Sequence, residues 1–319
     1  MLRRQVYHGS TFMNINLKNT KLICSLEFQK PVRADTYPSF VIRSVLGYHL
    51  KRMHCVAHQT PCQDCVFRRT CAYVFLFESI IDKDTPVLDG RDRASHPFRI
   101  IGHSDHGRVI STLELGIQLF GPAVDYVPHV VFALREAGKD GLFRERVPFR
   151  LSVANINNEP ILEKDRIIQS HIINETEPYP SGTDMETRTV QVLCRSPLRF
   201  KVNNRLTSEF TALDLVLTSQ RHIDTMFYLY GDGTEFAYNK QKPNWEGEIK
   251  ITHRDLAWRD YPRFSRRQGS PMKLGGHVGT ITISGNAPRW VWETLHLAGR
   301  IGTGKNTSFG FGDIRVTEE

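Results

Sequence analysis

Four of the six cysteines stand close together: Cys55, Cys62, Cys65 and Cys71, spaced C-x6-C-x2-C-x5-C. Thiolates suit a soft ion in tetrahedral geometry, and a C-x-x-C step brings two sulfurs from one tight turn to the same ion. A shell closed by four thiolates leaves no open position for water. The expected role is therefore structural, clamping a segment too short and polar to fold by burial. Zinc is the first assignment and an iron–sulfur cluster the runner-up. His54 and His58 could each replace a ligand, and Cys24 and Cys194 read as buried thiols on strands.

A second constellation lies near the C-terminus. Gly302, Gly304, Gly310 and Gly312 enclose Lys305, Asn306, Thr307, Ser308 and Phe309. A glycine-rich turn with exposed amides and a lysine can cradle phosphate oxygens. Gly299, Gly304 and Lys305 fit the start of a nucleotide P-loop, but Asn306 stands where Ser or Thr should hold magnesium. A P-loop also follows a strand and opens a helix; here a helical pattern precedes and an extended one follows. Upstream, Arg259, Arg263, Arg266, Arg267 and Lys273 interleave with Trp258, Tyr261 and Phe264. Arginine contacts phosphate and aromatic rings stack on bases; the plainer alternative is a solvated edge strand with core aromatics. Arg195, Arg199 and Lys201 would extend the basic surface.

The elements that must position these groups can be read from periodicity. The chain has 319 residues, enough for two domains, with 40% hydrophobic residues and a net charge of +8 that favours an anionic partner such as nucleic acid. No apolar run is long enough for a membrane helix, and no secretory leader is legible. Clustered cysteines point to metal in a reducing compartment, so a cytoplasmic location is expected. Strand patterns cover 17–28 (ended by Pro31), 97–101, 107–120 and 147–154, with helices over 38–53 and 126–137. After a polar connection over 155–187, strands over 189–195, 248–265, 273–284 and 309–316 alternate with helices over 208–229 and 289–297. Each half reads strand, helix, two strands, helix, strand. The expected fold is α+β: two tandem ferredoxin-like, RRM-like βαββαβ domains. The first spans 1–187 with a metal-binding insertion at 55–71; the second spans 188–319 and carries the glycine-rich loop.

The C-terminal half resembles the precursor-crRNA processing endoribonucleases of the CRISPR-associated RAMP superfamily. Their pattern of "RQ", "MKLGG-x-VG", a helix and "GKGTSFGLG" is matched by Arg267, Gln268, then Met272 to Gly276, Val278 and Gly279, then Gly304 to Gly312. The segment from Arg195 to Lys201 is similar to the "TPLRLK" strand that opens the family's C-terminal domain. The stretch from Gly116 to Leu151 resembles the N-terminal domain's pattern, with Phe143 where a glycine closes that motif. The cysteine cluster followed by Cys71, Tyr73, Phe77 and Glu78 is similar to one branch of the family. The resemblance implies CRISPR repeat RNA or precursor crRNA as partner, and metal-independent attack by a 2′-OH that leaves a 2′,3′-cyclic phosphate. Such chemistry needs a base, an acid and a cation near the phosphate. A histidine on or near the first helix is frequent in the family, which makes His49 and His54 the catalytic candidates here, with Lys51 for charge. Arg52, Arg263, Arg266, Arg267, Lys273, Gly302, Gly304, Lys305, Asn306 and Phe309 are the RNA-binding candidates; His277 is a further histidine to test. The family's loop commonly opens with histidine, and Gly302 holds that place. That departure supports a second reading, a non-cleaving crRNA-binding subunit among other effector-complex subunits. A third reading, a zinc-ribbon DNA-binding regulator, lacks any helix-turn-helix pattern.

Overall fold

A computed structural model describes residues 15–319 except 83–84, 86–87, 89, 103–104, 164–165, 169–171, 173, 204, 208, 234–244, 246 and 266–269. Arg266 and Arg267 lie outside the described residues, as does Ser208, where the third helix was expected to begin. The first half contains β1 (Asn16–Arg33), α1 (Pro38–His54), β2 (Phe98–Gly102), β3 (Val109–Phe120), α2 (Val127–Asp140) and β4 (Phe149–Ile156). The second contains β5 (Met185–Leu198), α3 (Ala212–Tyr230), β6 (Glu248–Ser265), β7 (Ser270–Pro288), α4 (Arg289–Ile301) and β8 (Ile314–Glu318). The sheets run β2-β3-β1-β4 and β6-β7-β5-β8, with antiparallel neighbours throughout. Each is the ferredoxin-like order, so the protein is a tandem of that α+β fold.

Alternation along β1 places Leu22, Cys24 and Leu26 under α1 and α2, where Leu46, Leu50, Val131 and Leu134 close the first core. Burying a side chain of this size contributes roughly 1.5–3 kcal/mol. The second core joins Val190, Val192, Ile281 and Ile283 to Leu215, Trp292 and Leu295. Pro38 at the start of α1 presets helical φ where no amide is needed. Thr211 caps α3, accepting from the Asp214 amide while the Asp214 carboxylate receives the Thr211 N–H.

Several boundaries differ from the sequence expectation: α3 starts at Ala212 rather than 208, and α4 runs to Ile301 rather than 297. Pro31 does not end β1: the ladder shifts register between Glu27 and Val32, then Val32 and Arg33 pair with Ile110 and Val109. A bulge absorbs the amide that proline lacks. Within the connection over 155–187, Glu175–Pro178 forms a strand that pairs with the start of β1. The last strand begins at Ile314 rather than 309, since Asn306, Gly310 and Gly312 all adopt positive φ and Thr307–Phe309 forms a 3-10 turn.

Candidate nucleic-acid interface

The glycine loop leaves the end of α4 and lies against the first domain. Gly310 has φ 84°, and a Cβ there would run into the Ser39 hydroxymethyl group on the first turn of α1. Glycine therefore serves close approach between domains as well as backbone freedom. Beneath the loop, Tyr37 and Phe40 from the first domain pack with Tyr261, Leu274 and Phe311 from the second. The Tyr37 and Tyr261 ring centroids are 4.6 Å apart.

A buried polar lock stands behind the loop. Arg99 Nε donates to Gln118 Oε1 at 2.7 Å, and Nη2 donates to the Arg300 carbonyl at 2.8 Å. Arg99 Nη1 lies 3.5 Å from Asp313 Oδ1, which also accepts from Arg195 Nη2 at 2.9 Å. Burial pushes the Arg99 guanidinium down to about 10, which still leaves it charged at neutral pH. At Gly302, φ is 89° and a Cβ would sit 2.9 Å from Arg99 Nη1. A side chain at Gly302 would therefore run into the Arg99 guanidinium.

Most loop amides serve the fold. Thr303 N–H donates to the Gly312 carbonyl at 3.0 Å, Lys305 to Arg199 at 2.7 Å, Gly312 to Pro197 at 3.0 Å, and Phe309, Gly310 and Phe311 donate within the loop. The expected amide cradle is spent at these positions, and side chains are what the loop offers to a ligand. Lys305 is exposed; burial of its stem and the nearby cations Arg91, Lys201, Arg199 and Arg221 lower its pKa. Two guanidiniums lie over the Phe309 ring: Arg43 Cζ from α1 and Arg263 Cζ from β6 each stand 4.1 Å from its centroid. Cation–π contact holds such groups against the ring face. Arg43 Nε also donates to Ser308 Oγ at 3.3 Å. Burial, then the charge of Arg263, pushes Arg43 down to about 10. Among the described residues neither arginine has an ion-pair partner. Two cations, one from each domain, share a ring and lack a carboxylate; an anion completes such an arrangement.

The α1 histidines lie elsewhere. His49 is 4% exposed, with Nε2 3.1 Å from Asp140 Oδ2 of α2 but without hydrogen-bonding alignment. Six residues at about 100° each place it about 240° around α1 from Arg43. His54 packs at 4.9 Å from the His129 ring, and burial, then His129, lowers its pKa. Lys51 lies 5.6 Å from the Tyr73 ring centroid and Arg52 is exposed on the same last turn. His277 is buried, its Nε2 3.0 Å from the Thr207 carbonyl. The structure thus brings together Arg263, Lys305, Asn306 and Phe309 on one loop and its flanks. Lys273, exposed on β7, faces Pro262 across the ladder. Gly304, half-buried, approaches the Arg199 carbonyl.

Arg43 and Ser308 were not among the RNA-binding candidates, and His96 was not singled out at all. The i, i+4 spacing of Ser39 and Arg43 was the available signal, since it puts both on one helical face. His96 sits in a segment without periodicity and had no such signal.

The cysteines are free and half-buried on a run of turns between α1 and a π-helical turn, Val74–Glu78. Burial first, then Glu78, Cys55 and Cys71, raises the Cys62 thiol pKa. Four thiols suit a thiophilic ion in kind, but among the described residues no three His, Cys, Asp or Glu side chains are gathered around an ion position.

Residues 192–314 match the family model of the CRISPR-associated endoribonuclease Cas6, and residues 17–177 match the AF_1859_N N-terminal domain model. The chain belongs to the AF_1859_N family, and its second domain is of the Cas6 type. A Cas6 product complex is similar in structure at TM-score 0.54 and 14% identity, covering 94% of this chain and 99% of that one. Cas6 of Thermus thermophilus aligns at TM-score 0.50 and 12% identity, over 96% and 100% of the two chains. A partial Cas6-RT-Cas1–Cas2 complex aligns at TM-score 0.52 and 14% identity, over 95% of this chain and 46% of that one. At these identities the structural likeness speaks for the fold. No curated protein matches the chain. No described helix is long and apolar enough to cross a membrane.

Proposed function

We propose that the Cas6-type domain and its partner domain hold a CRISPR repeat RNA across the glycine loop and cut the precursor transcript. The observation that carries this reading is Arg43 and Arg263, one from each domain, both over the Phe309 ring and without carboxylate partners among the described residues. A phosphate meets two forked donors there, and Lys305 with Arg91, Arg199, Lys201 and Arg221 continues the positive field along the RNA backbone. In the transition state the same guanidiniums stabilise charge growing on the phosphorus oxygens. The 2′-OH attacks phosphorus, the 5′-oxygen leaves with a proton, and a 2′,3′-cyclic phosphate remains, without a metal ion. His49 or His54 is the base assignment carried from the family pattern, with Lys51 supplying charge; to act at the loop His49 must leave its place against Asp140. His106, half-buried and 5.6 Å from the Tyr261 ring, is the alternative imidazole beside the cleft.

The second reading, a crRNA-binding subunit of a larger CRISPR assembly, draws on the same cleft. Gly302 in the histidine place and the burial of His49 favour it. Cleavage of a labelled cognate repeat in excess EDTA, beside a 2′-deoxy substrate at the scissile sugar, separates the two. Cutting that survives EDTA and stops with the deoxy sugar supports the nuclease; tight binding without cutting supports the subunit. His49→Ala and His106→Ala then assign the base. Cys55, Cys62, Cys65 and Cys71 are assigned to a structural zinc ion that closes the 55–71 segment, with an iron–sulfur cluster as the alternative. Metal content of the purified protein, against a Cys62→Ser variant, tests that assignment.

A further inference from the structure

Arg43 is held by more than the loop. Its Nη2 lies 2.7 Å from His96 Nε2, and His96 Nδ1 lies 2.9 Å from Ser79 Oγ. Burial, then the charges of Arg43 and Arg93, pushes the His96 imidazolium down to about 3. The ring is therefore neutral at working pH, with one donor and one acceptor. A guanidinium can only donate, so Nε2 accepts and the proton sits on Nδ1, directed to Ser79. Ser79 Oγ in turn donates to the Phe75 carbonyl at 3.4 Å. The polarity is consistent from end to end: Arg43 to His96, His96 to Ser79, Ser79 to Phe75.

The imidazole is also fixed laterally. Its centroid lies 5.7 Å from the Phe98 ring with 18° between planes, and 6.3 Å from Phe77. Phe77 also stands under Arg43, 5.2 Å from Cζ, and rests on α1 where Gly47 has no side chain. Ser79 closes the π-helical turn with φ 45°, so the chain of bonds starts from a backbone locked by its own turn.

We propose that His96 is a positioning residue for RNA binding: its Nε2 accepts one Arg43 N–H and turns the remaining guanidinium edge toward a backbone phosphate beside Phe309. Free arginine side chains sample many rotamers, and ordering one before the ligand arrives lowers the entropic cost of binding. The inference rests on the RNA-binding reading above, and its experiment separates the two.

A double-mutant cycle measures it. Affinity for a labelled repeat RNA is determined for the parent, His96→Leu, Arg43→Ala and the double variant. His96→Leu is expected to weaken binding about tenfold, as loss of a hydrogen bond to a charged group does. In the Arg43→Ala background the same change should have almost no effect, because its target is gone. His96→Gln, whose carbonyl can accept at the Nε2 position, should recover most of the affinity. Equal losses in both backgrounds would show His96 acting through the general fold and overturn the proposal. Imidazole nitrogen NMR of the unsubstituted protein gives a second reading that needs neither folding variants nor RNA. A protonated Nδ1 and an unprotonated Nε2 from pH 5 to 8 are expected; an Nε2–H tautomer or an imidazolium at pH 6 would overturn it. Absence of RNA binding in the parent would instead count against the RNA-binding reading, with the NMR result still deciding the tautomer.

Discussion

The glycine loop and the cysteine segment are both irregular, and they are held in opposite ways. The loop's bonds reach across the chain: to Pro197 and Arg199 at the end of β5, to Ser219 through Thr303 Oγ1 at 2.9 Å, and to Arg43 in the other domain. The backbone bonds within 55–71 join residues three or four apart, such as Asp64 to Pro61 and Cys71 to Phe67. Val66 is 87% exposed and Val56 73%, whereas Gly310, Phe311 and Gly312 are buried. Irregular backbone persists when burial and long-range bonds over-determine it. The glycine loop meets that condition by itself; the cysteine segment would meet it through the structural ion proposed above.

Substitutions can break this contrast. Gly310→Val forces a β-branched residue to φ 84° and into Ser39; a loss of ~3 kcal/mol is expected in denaturant unfolding. A cost under ~0.5 kcal/mol would mean that the loop is less constrained than the account holds. Arg99→Met removes the cation shared by Gln118, Asp313 and the Arg300 carbonyl. The expected loss is again ~3 kcal/mol, since uncompensated polar groups stay buried, with weaker coupling between the domains' unfolding transitions. On the other side, Cys62→Ser or prolonged chelation should cost ~2 kcal/mol and open 55–71 to proteases, while near-UV signals of the aromatic cluster under the loop persist.

A pH experiment sharpens the comparison, because Asp224 is buried on α3, the helix whose Ser219 bonds the loop at Thr303. Burial holds its carboxyl up at about 6 against the pull of Tyr179 and Gln220. A raised carboxyl favours the protonated fold, so its contribution is complete below the ordinary value of 3.8 and is lost as pH rises through about 6. Asp224→Asn should therefore gain on the order of 2 kcal/mol over the parent at pH 8 and nothing at pH 3. An equal difference at both pH values would refute the burial argument. The smallest effect is expected at Val66→Ser, within ~0.5 kcal/mol by denaturation, because that side chain contacts solvent.

The fold was legible because its signals are local. Period-2 runs and Pro38 opening α1 each settle an element without reference to the other half, whereas the Thr211–Asp214 box, which starts α3 at Ala212, was passed over for Ser208. Pro31 misled because a bulge, a property of the paired strand, lets β1 continue. The candidate site was half legible. Arg263, Lys305 and Phe309 stand in motifs, but Arg43 gains its role from a contact 220 residues or more away in sequence with β6 and the loop, and spacing within one helix does not encode that. His49 drew attention through the family resemblance and its place on the first helix; its partner, Asp140, belongs to a helix packing that no motif records.

The central claim is that RNA is held where the two domains meet at Phe309. Affinity for a labelled cognate repeat RNA, compared between the parent, an Arg43→Ala/Arg263→Ala variant and a Lys51→Ala/Arg52→Ala variant of equal stability, tests it most directly. The account predicts roughly a hundredfold loss in the first variant and under about fivefold in the second, with a shallower salt dependence only in the first. Unchanged affinity without Arg43 and Arg263, and loss without Lys51 and Arg52, would place the RNA on the cysteine side of α1 and contradict it.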